Sequence, residues 1–208
     1  MRIPTTVTSI GSNSFSGSAA LTSVMFSGDA TQYVGTNAFS NIGDDPSAYV
    51  TETASGFGDA GDLWNGLTVG VIGGTYACVD DERTSTTGSG SITVSQFTVT
   101  GNSGCEGKLI IPEGVMAIGE NSLSQIGVTS VVIASTVTTI GLNAFYNNAS
   151  LTSVTFAGAS QLHTIAYGAF KNNNELPEIT IPPSVVSIGT PAFYPNSKLA
   201  TVTFSGNS

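Results

Sequence analysis

Along most of the chain, apolar positions recur in a fixed order that neither a simple helix nor a simple strand would produce. Ile3, Val7, Ile10, Phe15, Leu21, Val24 and Phe26 mark the first stretch, and Ile133, Val137, Ile140, Phe145, Leu151, Val154 and Phe156 repeat it. Ile181, Val185, Ile188, Phe193, Leu199, Val202 and Phe204 repeat it again. From opening Ile to closing Phe, each stretch spans 23 steps along the chain. Ile111–Ile133 (22 steps) and Phe156–Ile181 (25 steps) are further units, and a degraded one after Phe26 keeps Val34-Gly35 and Ala38-Phe39 in register. Six units therefore lie in two groups, and a period in this range predicts a solenoid of stacked coils.

One unit shows how a coil is built. Val137 and Ile140 are the apolar pair of a short extended segment, and Gly141 permits a turn that a Cβ would obstruct. Ala144-Phe145 opens a tight turn, helical or irregular, whose Phe fills the interior. Leu151 closes the loop, and Val154 and Phe156 point inward from the next strand. A single coil cannot bury these residues, so stability comes from neighbours and the ends need caps. The alternate strand positions face outward. They are Ser23 and Met25, Ser130 and Val132, Ser153 and Thr155, Glu178 and Thr180, and Thr201 and Thr203. Stacking predicts a face dominated by small hydroxyl side chains, which is the candidate binding surface; Ser and Thr also simply suit an exposed sheet.

The shared order, I-P-x-x-V-x-x-I-G-x-x-A-F-x5-L-T-S-V-x-F/I, resembles the BspA-like, or Treponema pallidum-type, class of leucine-rich repeats over roughly residues 3–42 and 108–206. The resemblance implies a leucine-rich repeat solenoid and a surface protein with an adhesive role. Residues 1–42 then form a first array (the end of a longer one), 43–68 its cap and a linker, 69–107 a β cap opening the second array, and 108–208 that second array. In the family, AYV…GFG…WNGL stretches end an array, which makes Tyr49, Phe57, Leu63, Trp64 and Leu67 cap residues. A carbohydrate-stacking site on Trp64 and Phe57 is the alternative. VGVIGGTYACV, GSITVSQFTVT and GKLIIP alternate or run apolar between Gly/Ser turns, as strands of a small β cap do. Cys78 and Cys105 flank that cap and are the two cysteines of the chain. A disulfide between them would stabilise the cap by about 3–4 kcal/mol and imply an oxidising, extracellular setting; a pair of buried free thiols is the alternative. No end cap follows Phe204 or precedes Ile3, which fits a piece of a longer protein or a chain that packs end to end.

Composition narrows the function. Only 9% of residues are charged, with 14 acids against 5 bases and a net charge of −9. That balance argues against nucleic acid as a partner and against anionic membrane surfaces. No apolar run reaches the about 18–20 residues of a membrane helix, so membrane insertion is not expected. His163 is the single histidine, in a position where other units carry Ser or Thr, and supports neither a His-based metal site nor a triad. Asp44-Asp45, Asp59 with Asp62, and Asp80-Asp81-Glu82 could supply calcium oxygens but lack a regular ligand spacing, so no metal is expected. No phosphate-binding glycine loop is present and no cofactor is expected. Repeats this regular offer no cleft for paired catalytic carboxylates, so the chain reads as non-enzymatic. Asn13, Asn37, Asn121 and Asn143 recur two positions after the Gly, where a side-chain amide can bond turn backbone from coil to coil. Asn148-Ala149-Ser150 is a glycosylation sequon.

Two function classes follow. One is an extracellular adhesion module that recognises protein or glycan through the hydroxyl face. The other is a structural spacer or stalk that associates end to end without a specific ligand. An ice-binding threonine ladder would need Thr-x-Thr on consecutive coils, a pattern met at Thr201 and Thr203 alone.

Overall fold

The computed structural model describes residues 1–79 and 87–206. These fall into two compact units, Met1–Gly73 and Gly74 onward. The acidic run Asp80-Asp81-Glu82 lies outside the described residues. No helix forms among the described residues: the turns are irregular, and the fold is a leucine-rich repeat solenoid.

The first unit holds β1 (Arg2–Ile3), β2 (Ser9–Ile10), β3 (Ser23–Phe26), β4 (Tyr33–Val34), β5 (Ser47–Thr51), β6 (Leu63–Trp64) and β7 (Leu67–Ile72). Its main sheet runs β1-β3-β5-β7-β6, and a short ladder pairs β2 with β4. The long strands are parallel because each coil returns to the same side. The exception is β6, which folds back on β7 through Asn65 and Gly66 at φ 49° and 87°. Two left-handed residues in a two-residue hairpin make a type I′ turn, and Asn-Gly is the sequence best suited to it. Residues 69–72, assigned from the sequence to the opening of the second array, thus extend the first unit's sheet.

That hairpin covers the end of the core. Trp64 is 9% exposed and meets Phe26 edge-on at 5.0 Å, with Phe57 at 4.8 Å. Its rings are enclosed by other rings, so Trp64 and Phe57 serve as a cap and present no face for a sugar. Two of the expected cap residues are exceptions: Tyr49 lies on the outer strand face, and Leu63 is 76% exposed. Strand alternation turns it outward when Trp64 turns in.

The second unit holds β8 (Gly74–Val79), β9 (Thr87–Ser95), β10 (Thr98–Asn102), β11 (Glu106–Ile110), β12 (Ala117–Ile118), β13 (Gly127–Ile133), β14 (Thr139–Ile140), β15 (Ser153–Phe156), β16 (Thr164–Ile165), β17 (Glu178–Ile181), β18 (Ser187–Ile188) and β19 (Thr201–Phe204). The antiparallel strands β8-β9-β10 form the expected β cap. They join the long ladder β11-β13-β15 on one side to the short ladder β12-β14-β16-β18 on the other. Ile92, Phe97 and Val99 of this cap are fully buried. A disulfide links Cys78 to Cys105, with Cα atoms 5.6 Å apart.

In five of the coils, between a short strand and the next long one, two residues four apart take left-handed backbone. They are Asn121 and Gln125, Asn143 and Asn147, Gly168 and Asn172 in the second unit, and Asn13 and Gly17, Asn37 and Asn41 in the first. This is why Asn recurs after the Gly: it tolerates positive φ better than most residues with a Cβ. The expected side-chain bonds from coil to coil are replaced by backbone ones. The N–H groups of Asn143, Phe145 and Asn147 donate to Tyr167, Ala169 and Lys171 at 3.0, 2.8 and 2.9 Å. The last coil carries Pro191 and Pro195 at the two positions, each after a cis peptide bond.

Inside the turns, Phe145, Phe170 and Phe193 stack with planes within 6° and centroids 5.1 and 5.5 Å apart. Three positions after each of these Phe residues stands an Asn: Asn148, Asn173 and Asn196. Asn148 accepts from Ile126 N at 2.8 Å and donates to Leu123 O at 2.9 Å. Asn196 accepts from Asn173 N at 2.7 Å and donates to Phe170 O at 3.0 Å. The sequon asparagine is therefore a buried rung of a ladder.

Candidate functional site

The outward strand positions fall into register as the repeat requires. Ser130 pairs with Ser153 and Val132 with Thr155; Glu178 pairs with Thr201 and Thr180 with Thr203. In the first unit Ser23 pairs with Ser47, and Ser47 with Thr68, two hydroxyl positions the repeat consensus did not flag. Met25 departs from expectation: it is only 2% exposed. Its register neighbours are Arg2 and Tyr49. Both are long side chains, and Arg2 reaches along the face to Ser27 Oγ at 2.6 Å, so Met25 is covered. Tyr49 in turn lies against Gly70, where a Cβ would come within 2.9 Å of its ring. Met25 is removed from the binding surface.

In the second unit the face is divided. Strands β15 and β17 belong to successive coils, yet β15 ends one sheet and β17 begins another, with no ladder pairing between them. Two local features of the sequence mark this break. Pro177 occupies the position of Thr152 and Ala200, whose N–H groups donate to Thr129 O at 2.8 Å and to Pro177 O at 2.9 Å. Pro182 occupies the position of Ala157 and Ser205, whose N–H groups donate to Ile133 O at 2.8 Å and to Ile181 O at 3.0 Å. A proline has no N–H, so the donors at the two ends of β17 are missing. The same coil is two residues longer than the 23-step units, and the excess lies between Phe156 and Ile165. Gly158, Ala159 and Ser160 of this longer segment border the gap.

The result is a cleft of about 670 Å³. Ser153 and Thr155 lie on one bank, Glu178 and Thr180 on the other, and Pro177 and Pro182 line it at the ends of β17. The hydroxyls of Thr152 and Ser205 are committed to Thr129 O and Ile181 O. The side chains of Ser153, Thr155, Glu178 and Thr180 are exposed and make no hydrogen bond among the described residues. Sequence reasoning selected these four as surface residues and took the regular repeat to exclude a cleft; the two prolines and the longer coil were the signals that pointed to one.

The other candidates resolve as structure. His163 is exposed, with Nδ1 2.6 Å from Gln161 O, and its carbonyl accepts from Val186 N and Ser187 N. Asp62 accepts the backbone N–H of Asp59, three residues earlier, at 2.9 Å and so braces its own loop. Asp45 sits in a turn at φ 44°. Among the described residues no three His, Cys, Asp or Glu side chains gather as a metal site, and no helix is long and apolar enough to cross a membrane. The backbone N–H and hydroxyl of Ser55, at 2.7 and 2.8 Å, hold the Asp29 carboxyl below its ordinary value of 3.8.

The repeat matches a known family. The family model for the BspA type leucine rich repeat region matches residues 1–55 and 102–208 in six copies. A leucine-rich repeat protein from Bacteroides capillosus is 28% identical, over 60% of this chain and 100% of that one, with a TM-score of 0.48. A leucine rich cell surface protein from Faecalibacterium prausnitzii is 21% identical over 97% of this chain and 52% of that one, with a TM-score of 0.38. The pneumococcal vaccine antigen PcpA is 17% identical over 98% of this chain and 38% of that one, at 0.41. This chain thus spans about half or less of the length of the latter two. No curated protein sequence matches it. Six copies of the repeat over most of the sequence, folded as stacked coils, make this chain a member of the BspA-type leucine-rich repeat family.

Proposed function

We propose that this chain is a non-catalytic binding module of an extracellular or cell-surface protein, recognising a protein or glycan partner through the strand face of its second unit. The observation that carries this reading is the cleft between β15 and β17, lined by Ser153, Thr155, Glu178 and Thr180. Their polar groups are uncommitted among the described residues and stand on strands, so binding costs little ordering entropy. Membership of a family that includes a cell surface protein, and the Cys78–Cys105 disulfide, support the location. The test is a capture screen of glycans and extracellular proteins on the immobilised chain. Replacing Ser153, Thr155, Thr201 and Thr203 by Lys should abolish capture without lowering the melting temperature; capture retained by that variant overturns the assignment.

A second reading is a structural spacer that associates end to end. It draws on the apolar side chains exposed on the coil 181–204, with Val186 80% and Phe204 65% exposed. Sedimentation that shows growing oligomers with concentration, together with an empty screen, would favour it.

A further inference from the structure

We infer that the cleft between β15 and β17 is a subsite for a short neutral oligosaccharide, held by the Glu178 carboxylate and the hydroxyls of Ser153, Thr155 and Thr180. This rests on the binding-module reading and names its ligand class.

The shape excludes one occupant. A peptide strand added between β15 and β17 would need them at about twice the usual strand separation of about 4.8 Å. On the other side of the same coils, β14, β16 and β18 remain paired, Thr139 with Thr164 and Thr164 with Ser187. Those pairs hold the coils at a single strand spacing, so the gap widens only on one face. The ligand lies in the cleft mouth and does not complete the ladder.

The lining selects among the remaining ligands. The volume, about 670 Å³, is of the size that small-molecule sites use, about 300–1,000 Å³. One carboxylate stands among hydroxyls, and no Lys, Arg or His lines the cleft among the described residues. An anionic ligand is therefore disfavoured. The strand edges add backbone acceptors: in the register of the other coils, Pro182 leaves the Phe156 carbonyl without its donor. Glu178 and such carbonyls accept hydrogen bonds, which suits a ligand rich in hydroxyl donors. The exposed ring of Pro177 offers rigid apolar surface for the C–H face of a sugar ring. A lysine-rich peptide would be drawn chiefly by the single carboxylate, so its binding would weaken as salt rises.

Isotope-labelled chain is titrated with cellotriose, maltotriose and mannotriose, and separately with trilysine, while backbone amide signals are followed by NMR. The expected result is a saturable shift of the Val154, Phe156 and Thr180 amides with at least one trisaccharide, unchanged between low and high salt. Glu178→Gln should weaken that affinity about ten-fold with the melting temperature unchanged, since Glu178 is exposed and unbonded. If no trisaccharide shifts these amides, or if trilysine shifts them in a salt-sensitive way and the sugars do not, the oligosaccharide assignment is overturned. Protein capture that the Lys-substituted face abolishes, in the absence of any sugar response, would leave the binding module standing and remove only this inference.

Discussion

Asn173 holds Asn148 in place from within the turn: its side-chain oxygen accepts the Asn148 backbone N–H at 2.8 Å, while its amide nitrogen donates to Phe145 O at 3.0 Å. One short side chain thus satisfies a donor and an acceptor from the preceding coil, all of it buried. Asn173→Ala leaves both backbone groups without partners, at about 1–3 kcal/mol each. The expected loss is about 2–6 kcal/mol, measured by denaturant unfolding. A loss below about 1 kcal/mol would mean that water replaces the rung.

The phenylalanine stack should respond by position. Phe170 is sandwiched between Phe145 and Phe193 and fully buried. Phe193 is half-buried on the last coil, with a stacking partner on one face. In a solenoid each coil is stabilised by its neighbours. Phe170→Ala should cost about 3–5 kcal/mol, and Phe193→Ala clearly less. Equal losses would contradict the nearest-neighbour account.

These two ladders show where the sequence was legible. Period and inward positions were plain, because Ile, Val and Phe recur at fixed spacing and nothing but stacking buries them all. The Asn after Gly was visible but its reason was not: a positive φ leaves no mark beyond the residue type, and the side chain was assigned a bond that the backbone makes. The buried rung at Asn148 was read only as a sequon, although F-x-x-N recurs at Phe145, Phe170 and Phe193. Met25 looked exposed because alternation gives direction and not cover; Arg2 and Tyr49, far away in sequence, supply the cover. Likewise, the cleft depends on hydrogen bonds that Pro177 and Pro182 do not make, and a search for matching residues overlooks missing donors.

Reduction should act on the second unit. The Cys78–Cys105 bridge closes a loop of 27 residues. In the chain-entropy model such a loop is worth about 3–4 kcal/mol. Cys78→Ala with Cys105→Ala should lower the second unit's stability by that order, with faster amide exchange first at Ile92, Phe97 and Val99 in the cap. Unfolding that begins instead at β17–β19 would show that the bridge is not what fastens this end.

Acid should weaken the first unit through Asp29. Its carboxyl is held below the ordinary 3.8 by the backbone N–H and hydroxyl of Ser55, so the charged form is favoured in the folded state. A depressed carboxylate contributes stability that is complete above the unfolded value and is lost as pH falls through the folded one. Wild type should therefore melt higher than Asp29→Ala at pH 7, with the difference shrinking below about pH 4. A difference that persists at pH 2 would point to packing instead of charge.

Restoring the two missing donors should close the cleft. In Pro177→Thr with Pro182→Ala, each position regains an N–H able to bond the preceding coil, as Thr152 and Ala157 do at 2.8 Å. Each new bond is worth about 0.5–1.5 kcal/mol. Replacing each proline frees the unfolded chain by about 0.4–1 kcal/mol. The two effects nearly cancel, so global stability is a poor readout. Amide exchange is a better one: the Thr180 N–H, directed toward β15 in the register of the other coils, should exchange more slowly once β17 joins the ladder. Binding through the cleft should fall in the same variant. Unchanged exchange at Thr180 would assign the gap to the longer segment between Phe156 and Ile165, and shortening that segment by two residues would then be required to close it.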